Sequence, residues 1–102
     1  MPMRRPAAGY MVYLLIDPRD LVPFYAGMTC RPGSRWGGHN GDPSSAAYTR
    51  LGELRRLALK CRVRIVAFGL QYEEARALEW QTIETYRATL LNGPSRRLRM
   101  VA

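Results

Sequence analysis

Arg35 and His39 stand four positions apart in the stretch YAGMTCRPGSRWGGHNGD, residues 25–42, which also holds Tyr25, Arg31 and the only histidine of the chain. If SRWGGHN forms one helical turn, residues at this spacing share a face. Gly37 and Gly38 weaken such a turn, so it would need tertiary support. Arg35 could grip a phosphate with two parallel N–H donors. His39 could hydrogen-bond a nucleophile or a leaving oxygen. Each also has a plainer reading, a solvated loop cation for Arg35 and a partly buried structural histidine for His39.

Glu79 is the second chemical signal. Stepping about 100° per residue along a helix from Tyr72 brings Ala75, Ile83, Tyr86 and Leu90 to one face. Glu79 falls in that same apolar stripe, whereas Glu73, Glu74 and Glu84 point aside or away. A carboxylate there must be paired, hydrogen-bonded or bound to a metal, because an unpaired buried charge costs too much. One of the arginines could satisfy it as well as a metal could.

The elements that must position these groups follow from the pattern. YMVYLLI (10–16) is a continuous apolar run suited to a central strand. Asp17, Pro18 and Asp20 mark a turn, and FYAGMT (24–29) completes a hairpin. Residues 42–61 read as a helix, with Asp42 as cap, Pro43 at the first helical position and Ala47, Leu51, Leu54 and Ala58 as its apolar stripe. Arg50, Glu53, Arg56 and Lys60 lie off that stripe and are expected to be wet. RVRIVAFGL (62–70) alternates like a strand. Residues 71–91 form a second helix that Gly93 and Pro94 end. The order β-β-α-β-α implies an α+β domain, a small three-stranded antiparallel or mixed sheet flanked by helices.

Composition narrows the partners. The chain has 102 residues, enough for one domain, with residues 1–9 as a basic arm and 93–102 as a basic tail. Sixteen Lys and Arg oppose eight Asp and Glu, and Lys60 is the only lysine, which leaves fifteen arginines. Codon bias can choose arginine over lysine, but it does not create an excess over acids. The balance favours a polyanion. Two cysteines and no signal-like start suggest reduced thiols and a cytoplasmic protein whose substrate is the nucleoid. No apolar run approaches a membrane span. Cys30, His39 and Cys61 lack the close pairing of a zinc site. Trp36 and Trp80 read as packing residues before stacking platforms.

Taken together, these residues resemble the GIY-YIG nuclease superfamily. Met11-Val12-Tyr13 stands as the first signature triplet and Tyr25-Ala26-Gly27 as the second, eleven residues apart. Gly27, Thr29, Arg35, His39 and Asn40 follow in the family's order. Ala75 and Glu79 match its later helix, and Asn92 its closing asparagine. The ordered set covers nearly the whole chain. Met11 and Val12 replace glycine and isoleucine, Ala26 replaces isoleucine, and Met28 stands where some repair members carry a lysine.

The resemblance implies an endonuclease dependent on one Mg²⁺ or Mn²⁺ that hydrolyses phosphodiesters of DNA, with low sequence specificity or structure selectivity. Under it Glu79 is the sole side-chain metal ligand, Arg35 neutralises the phosphate, and Tyr13 or Tyr25 helps deprotonate water, with His39 able to accept the proton through the tyrosine. Making phenolate at neutral pH costs roughly 4 kcal/mol, so the tyrosine needs help. Thr29, Arg31, Trp36, Asn40 and Asn92 are expected to touch nucleic acid. A partner protein or a homodimer could add recognition. The alternatives are a non-catalytic nucleic-acid-binding module and a ribonuclease using the same site.

Overall fold

The computed structural model describes residues 9–31 and 45–92. They form β1 (Tyr10–Asp17), β2 (Val22–Thr29), α1 (Tyr48–Arg56), β3 (Arg62–Leu70) and α2 (Tyr72–Tyr86). The element order is the expected one. The sheet order is β2-β1-β3 and both pairings are antiparallel, so the sheet is not mixed.

The central place of β1 explains its unbroken apolar run, because a strand between two others with helices on both faces has no wet side. Successive side chains point to opposite faces. Tyr13 and Leu15 pack with Leu51 and Leu54 of α1, and Leu14 packs with Ile83 of α2. The two helices therefore cover opposite faces. Leu15 faces Tyr25 and Ile16 faces Pro23, which leaves Phe24 as an extra residue in a β-bulge. Phe24 and Tyr25 consequently both join the core beneath α1.

The first helix is shorter than its sequence pattern. Asp42 and Pro43 lie outside the described residues, and the described helix runs from Tyr48 to Arg56 with Ala47 at its N-cap. It stops before Ala58, which adopts a left-handed φ of 60°. The Leu59 N–H donates to Leu54 O at 2.8 Å and the Ala58 N–H to Arg55 O at 3.0 Å. That pair of bonds is a Schellman stop, which satisfies carbonyls a longer helix would otherwise use. Ala58 is thus exposed rather than part of the apolar stripe.

The second helix begins as expected. Gln71 and Glu74 form a reciprocal capping box, and Glu73 and Glu74 sit at the positive end of the helix dipole. It ends at Tyr86, five residues before the expected Leu91. The chain then turns along the outer edge of β2 and supplies its missing bonds. Thr89 Oγ1 donates to Pro23 O at 2.6 Å, and the Leu91 N–H donates to Phe24 O at 2.8 Å. The Asn92 amide donates to Ala26 O at 2.6 Å and accepts from the Ala26 N–H at 3.2 Å. An edge strand with unpaired backbone groups is covered in this way.

The turn after β1 hides an ion network that the sequence reading missed. Asp17 is only 2% exposed. Arg19 donates to it from its backbone N–H at 2.9 Å and from Nη2 at 2.7 Å, and Arg50 Nη1 approaches at 3.2 Å. Arg19 also reaches Glu53 at 3.1 Å. Arg50 is therefore half-buried, with its guanidinium 5.0 Å from the centre of the Phe24 ring, and is not the wet cation expected.

Hydrogen bonds from Arg19 lower the Asp17 carboxyl from its usual 3.8 to about 2, against the opposing effect of burial. Its folded pKa lies below the unfolded one. The stabilisation is complete above pH 3.8 and is lost as pH falls towards 2. Chemical denaturation between pH 2 and 6 should show this loss, and Asp17→Asn should be less stable at pH 6 and flatter across the range. An unchanged acid slope in Asp17→Asn would contradict the assignment.

Candidate active site

Tyr13 and Tyr25 come together because each sits on the α1 face of neighbouring strands. Their ring centres are 6.4 Å apart and the planes are tilted by 30°. Tyr13 is fully buried and Tyr25 nearly so. Tyr13 is paired in register with Gly27, and its phenol lies across that residue. A Cβ at position 27 would stand 2.5 Å from the Tyr13 hydroxyl oxygen and 2.8 Å from Cζ. Glycine is therefore needed there for space, since the ring fills the volume that any side chain would take.

Glu79 comes from the other face. α2 holds it half-buried, while Ala75, Ile83 and Leu90 of its stripe are buried. It lines an open hollow of about 740 Å³ with Tyr10, Met28, Tyr72, Arg76, Trp80 and Ile83 among its neighbours. The tyrosine pair and the hollow of Glu79 lie on opposite faces of the sheet and border adjacent residues of β2. Gly27 lies under Tyr13, and the next residue, Met28, lines the hollow of Glu79.

The hollow is built from α2 and the start of β1. Tyr10 and Tyr72 meet edge to face, with centres 5.5 Å apart. Arg76 donates to the Tyr72 hydroxyl at 3.1 Å, and its guanidinium carbon is 5.9 Å from that ring's centre. Desolvation raises the Tyr10 pKa and the adjoining Cys30 raises it further, with Arg31 opposing. That makes Tyr10 harder to ionise than free tyrosine. Tyr72, Arg76 and Trp80 were not singled out for this site by the sequence reading. Their spacing of four from one another, on the helix that carries Glu79, was the available signal.

Other expected site residues fall in different places. Arg35, Trp36, His39 and Asn40 lie outside the described residues. Thr29 closes β2, and its hydroxyl accepts from the Arg31 N–H at 2.9 Å, which shapes the exit from the strand. The Asn92 amide is bonded to Ala26, so its observed work is to hold the edge of β2. Trp80 is 42% exposed, which corrects the expectation of a packing residue.

An α+β unit of this order, with paired tyrosines beneath α1 and a half-buried carboxylate on α2, has the fold of a nuclease-type domain. Residues 9–92 match the GIY-YIG catalytic domain, and the chain belongs to that family. The family is one of endonucleases, so nucleic acid is the substrate class. Comparisons with curated proteins and with solved structures returned no match. Among the described residues no helix is long and apolar enough to cross a membrane.

Nucleases of this family generally use a divalent metal. Among the described residues no group of three or more His, Cys, Asp and Glu side chains converges. The described residues thus form no all-protein cage. Glu79 contributes one carboxylate in an open hollow, and Mg²⁺ is often held by one or two carboxylates, with waters and phosphate oxygens completing its shell. The donor present fits that mode.

Proposed function

We propose that this chain is a metal-dependent endonuclease that hydrolyses phosphodiester bonds of DNA with weak sequence preference. The observation that carries this reading is the half-buried carboxylate of Glu79 in an open hollow that Met28, the residue after Gly27, also lines. A net charge of +8 supports a polyanionic substrate.

Glu79 would hold one Mg²⁺ or Mn²⁺, which when bound polarises the scissile phosphate and stabilises the leaving oxygen. Water attacks phosphorus as the bond to the leaving oxygen breaks. Its proton passes to the hydroxyl of Tyr13 or Tyr25 as that hydroxyl hands its own proton to His39, so no full phenolate forms. Arg35 neutralises the charge that grows on the phosphate. Arg35 and His39 enter this scheme through the family resemblance of their sequence positions.

Weak sequence preference follows from the kind of contacts available. Arginines outside the matched region, such as Arg4, Arg5, Arg96, Arg97 and Arg99, suit phosphates, which carry no sequence information. Affinity should therefore fall steeply with salt as counterions are released.

The test is nicking of supercoiled plasmid with Mg²⁺ or Mn²⁺ against EDTA, at two salt concentrations, with the cut ends sequenced. Metal-dependent nicks at scattered sequences are expected. Binding without any cleavage would favour a non-catalytic nucleic-acid-binding module. A sharply defined recognition sequence would overturn the weak preference.

A further inference from the structure

Tyr72, Arg76 and Trp80 recur every four residues on α2 and all line the hollow that contains Glu79. Each step of four advances about 40° around a helix, so the three form a shallow spiral on one side. Tyr72 is 48% exposed and Trp80 42%. Both flank the guanidinium of Arg76 on the exposed side of the helix.

Contacts among the side chains fix the order within the spiral. Tyr10 and Tyr72 form a T-shaped pair with ring centres 5.5 Å apart. Arg76 bonds the Tyr72 hydroxyl and lies near its ring. Tyr72 and Arg76 therefore hold each other, and one helical turn further Trp80 stands next in sequence to Glu79. A hollow of about 740 Å³ lies within the range of about 300–1,000 Å³ that small-molecule sites occupy.

We propose that Tyr72, Arg76 and Trp80 form a stacking subsite for one unpaired nucleobase of the DNA strand whose phosphate lies at Glu79. This rests on the endonuclease reading of Glu79. The chemistry of the three residues fits a flat, electron-rich, uncharged ring attached to an anion. Aromatic faces stack on any base, and a guanidinium stacks on it as well while favouring the adjoining phosphate. Charge complementarity points the same way, since Arg76 is the cation that offsets Glu79 in this hollow.

The subsite also supplies a selection rule. In a continuous duplex both faces of every base are already stacked on neighbours. A base at a flap, a gap, a fork or a single strand offers a free face. The subsite therefore favours DNA with an unpaired nucleotide at the cutting point, through shape and not through sequence.

Trp80 can report its own occupancy. In a Trp36→Phe background it is the only tryptophan left in the chain. Its fluorescence is followed in EDTA, so that binding is read without cleavage. The probes are a short single-stranded oligodeoxynucleotide, a strand of equal length made wholly of abasic sites, and a blunt duplex of the same sequence. The base-bearing strand should quench the emission, and the abasic strand should not. Trp80→Ala, read by the anisotropy of end-labelled strands because it leaves no tryptophan, should weaken the base-bearing strand about tenfold, the size of one lost base–aromatic stack, and leave the abasic strand unchanged. Trp80→Phe should recover part of that loss.

Equal quenching by the abasic strand, or equal weakening of both strands by Trp80→Ala, would overturn the subsite. The fluorescence arm keeps its force even where Trp80→Ala lowers stability. Cleavage of plasmid without base-dependent quenching would reject the subsite and keep the nuclease. Base-dependent quenching without any cleavage would support stacking at these residues and reject the nuclease.

Discussion

Glu79→Gln should abolish cleavage while the protein stays folded and still binds DNA. The substitution keeps the length and nearly the volume of the side chain. It removes the negative charge, and an amide nitrogen replaces one oxygen that a hard cation prefers. The loss expected is at least about two orders of magnitude in turnover, comparable with removing one well-placed electrostatic group from an active site. Affinity measured in EDTA should hold or rise, since a carboxylate no longer repels the phosphate.

The competing reading of Glu79 makes the opposite forecast. The carboxylate lies within electrostatic reach of Arg76. If its only purpose were to balance that arginine, Glu79→Gln would lower stability and leave cleavage near normal. Nicking assays with Mn²⁺, thermal unfolding and DNA binding in EDTA, run on the same preparation, separate the two. Near-normal cleavage by a well-folded Glu79→Gln protein would remove the metal-ligand assignment.

The order of elements was legible because each carries its own period. Strand β3 was read at its observed limits, 62–70, from the alternation that begins Arg62, Val63, Arg64, Ile65. Helix ends were less legible, because they depend on bonds between residues the period does not weigh. The stripe through Ala58 continues the helical repeat, yet Ala58 adopts a left-handed conformation and closes a Schellman turn. Likewise Leu90 and Leu91 fit the pattern of α2, but their segment is drawn to the open edge of β2, whose bonding needs are set by a strand some sixty-five positions earlier.

The site divides in the same way. Glu79 was visible as an acid within an apolar stripe, a conflict that a single helix displays by itself. Asp17 was invisible as a buried group, because the reason for its burial is the pair Arg19 and Arg50, one of which lies 33 residues away. The turn signal at Asp17, Pro18 and Asp20 was genuine, and it masked the charge cluster. Trp80 was read as packing because tryptophan is usually buried. Its exposure follows from its place about 140° around the helix from the buried Ala75, beyond the stripe that meets the sheet.

Gly27→Ala should disable the protein through Tyr13. The conformation of Gly27 is not the obstacle, since its φ is not among the positive ones. Space is the obstacle: the new methyl carbon would stand 2.5 Å from the Tyr13 hydroxyl oxygen, 2.8 Å from Cζ and 3.2 Å from Cε2. The phenol cannot swing aside freely, because Tyr13 is fully buried in a cluster with Leu15, Phe24, Tyr25 and Leu51. Overpacking of this kind costs about 1–3 kcal/mol. Cleavage should fall further than the unfolded fraction explains, because the displaced ring carries a hydroxyl proposed to relay the proton. Tyr13→Phe keeps the ring and removes the nearest atom. Added to Gly27→Ala it should return part of the stability but none of the cleavage, so that the two substitutions cost less together than their separate losses combined. Denaturant unfolding of the parent, both single variants and the double variant measures that coupling, and plasmid nicking on the same four proteins measures the chemistry. Strictly additive stabilities, or a Gly27→Ala protein as stable and active as the parent, would show that the Tyr13 hydroxyl does not occupy the space above Gly27.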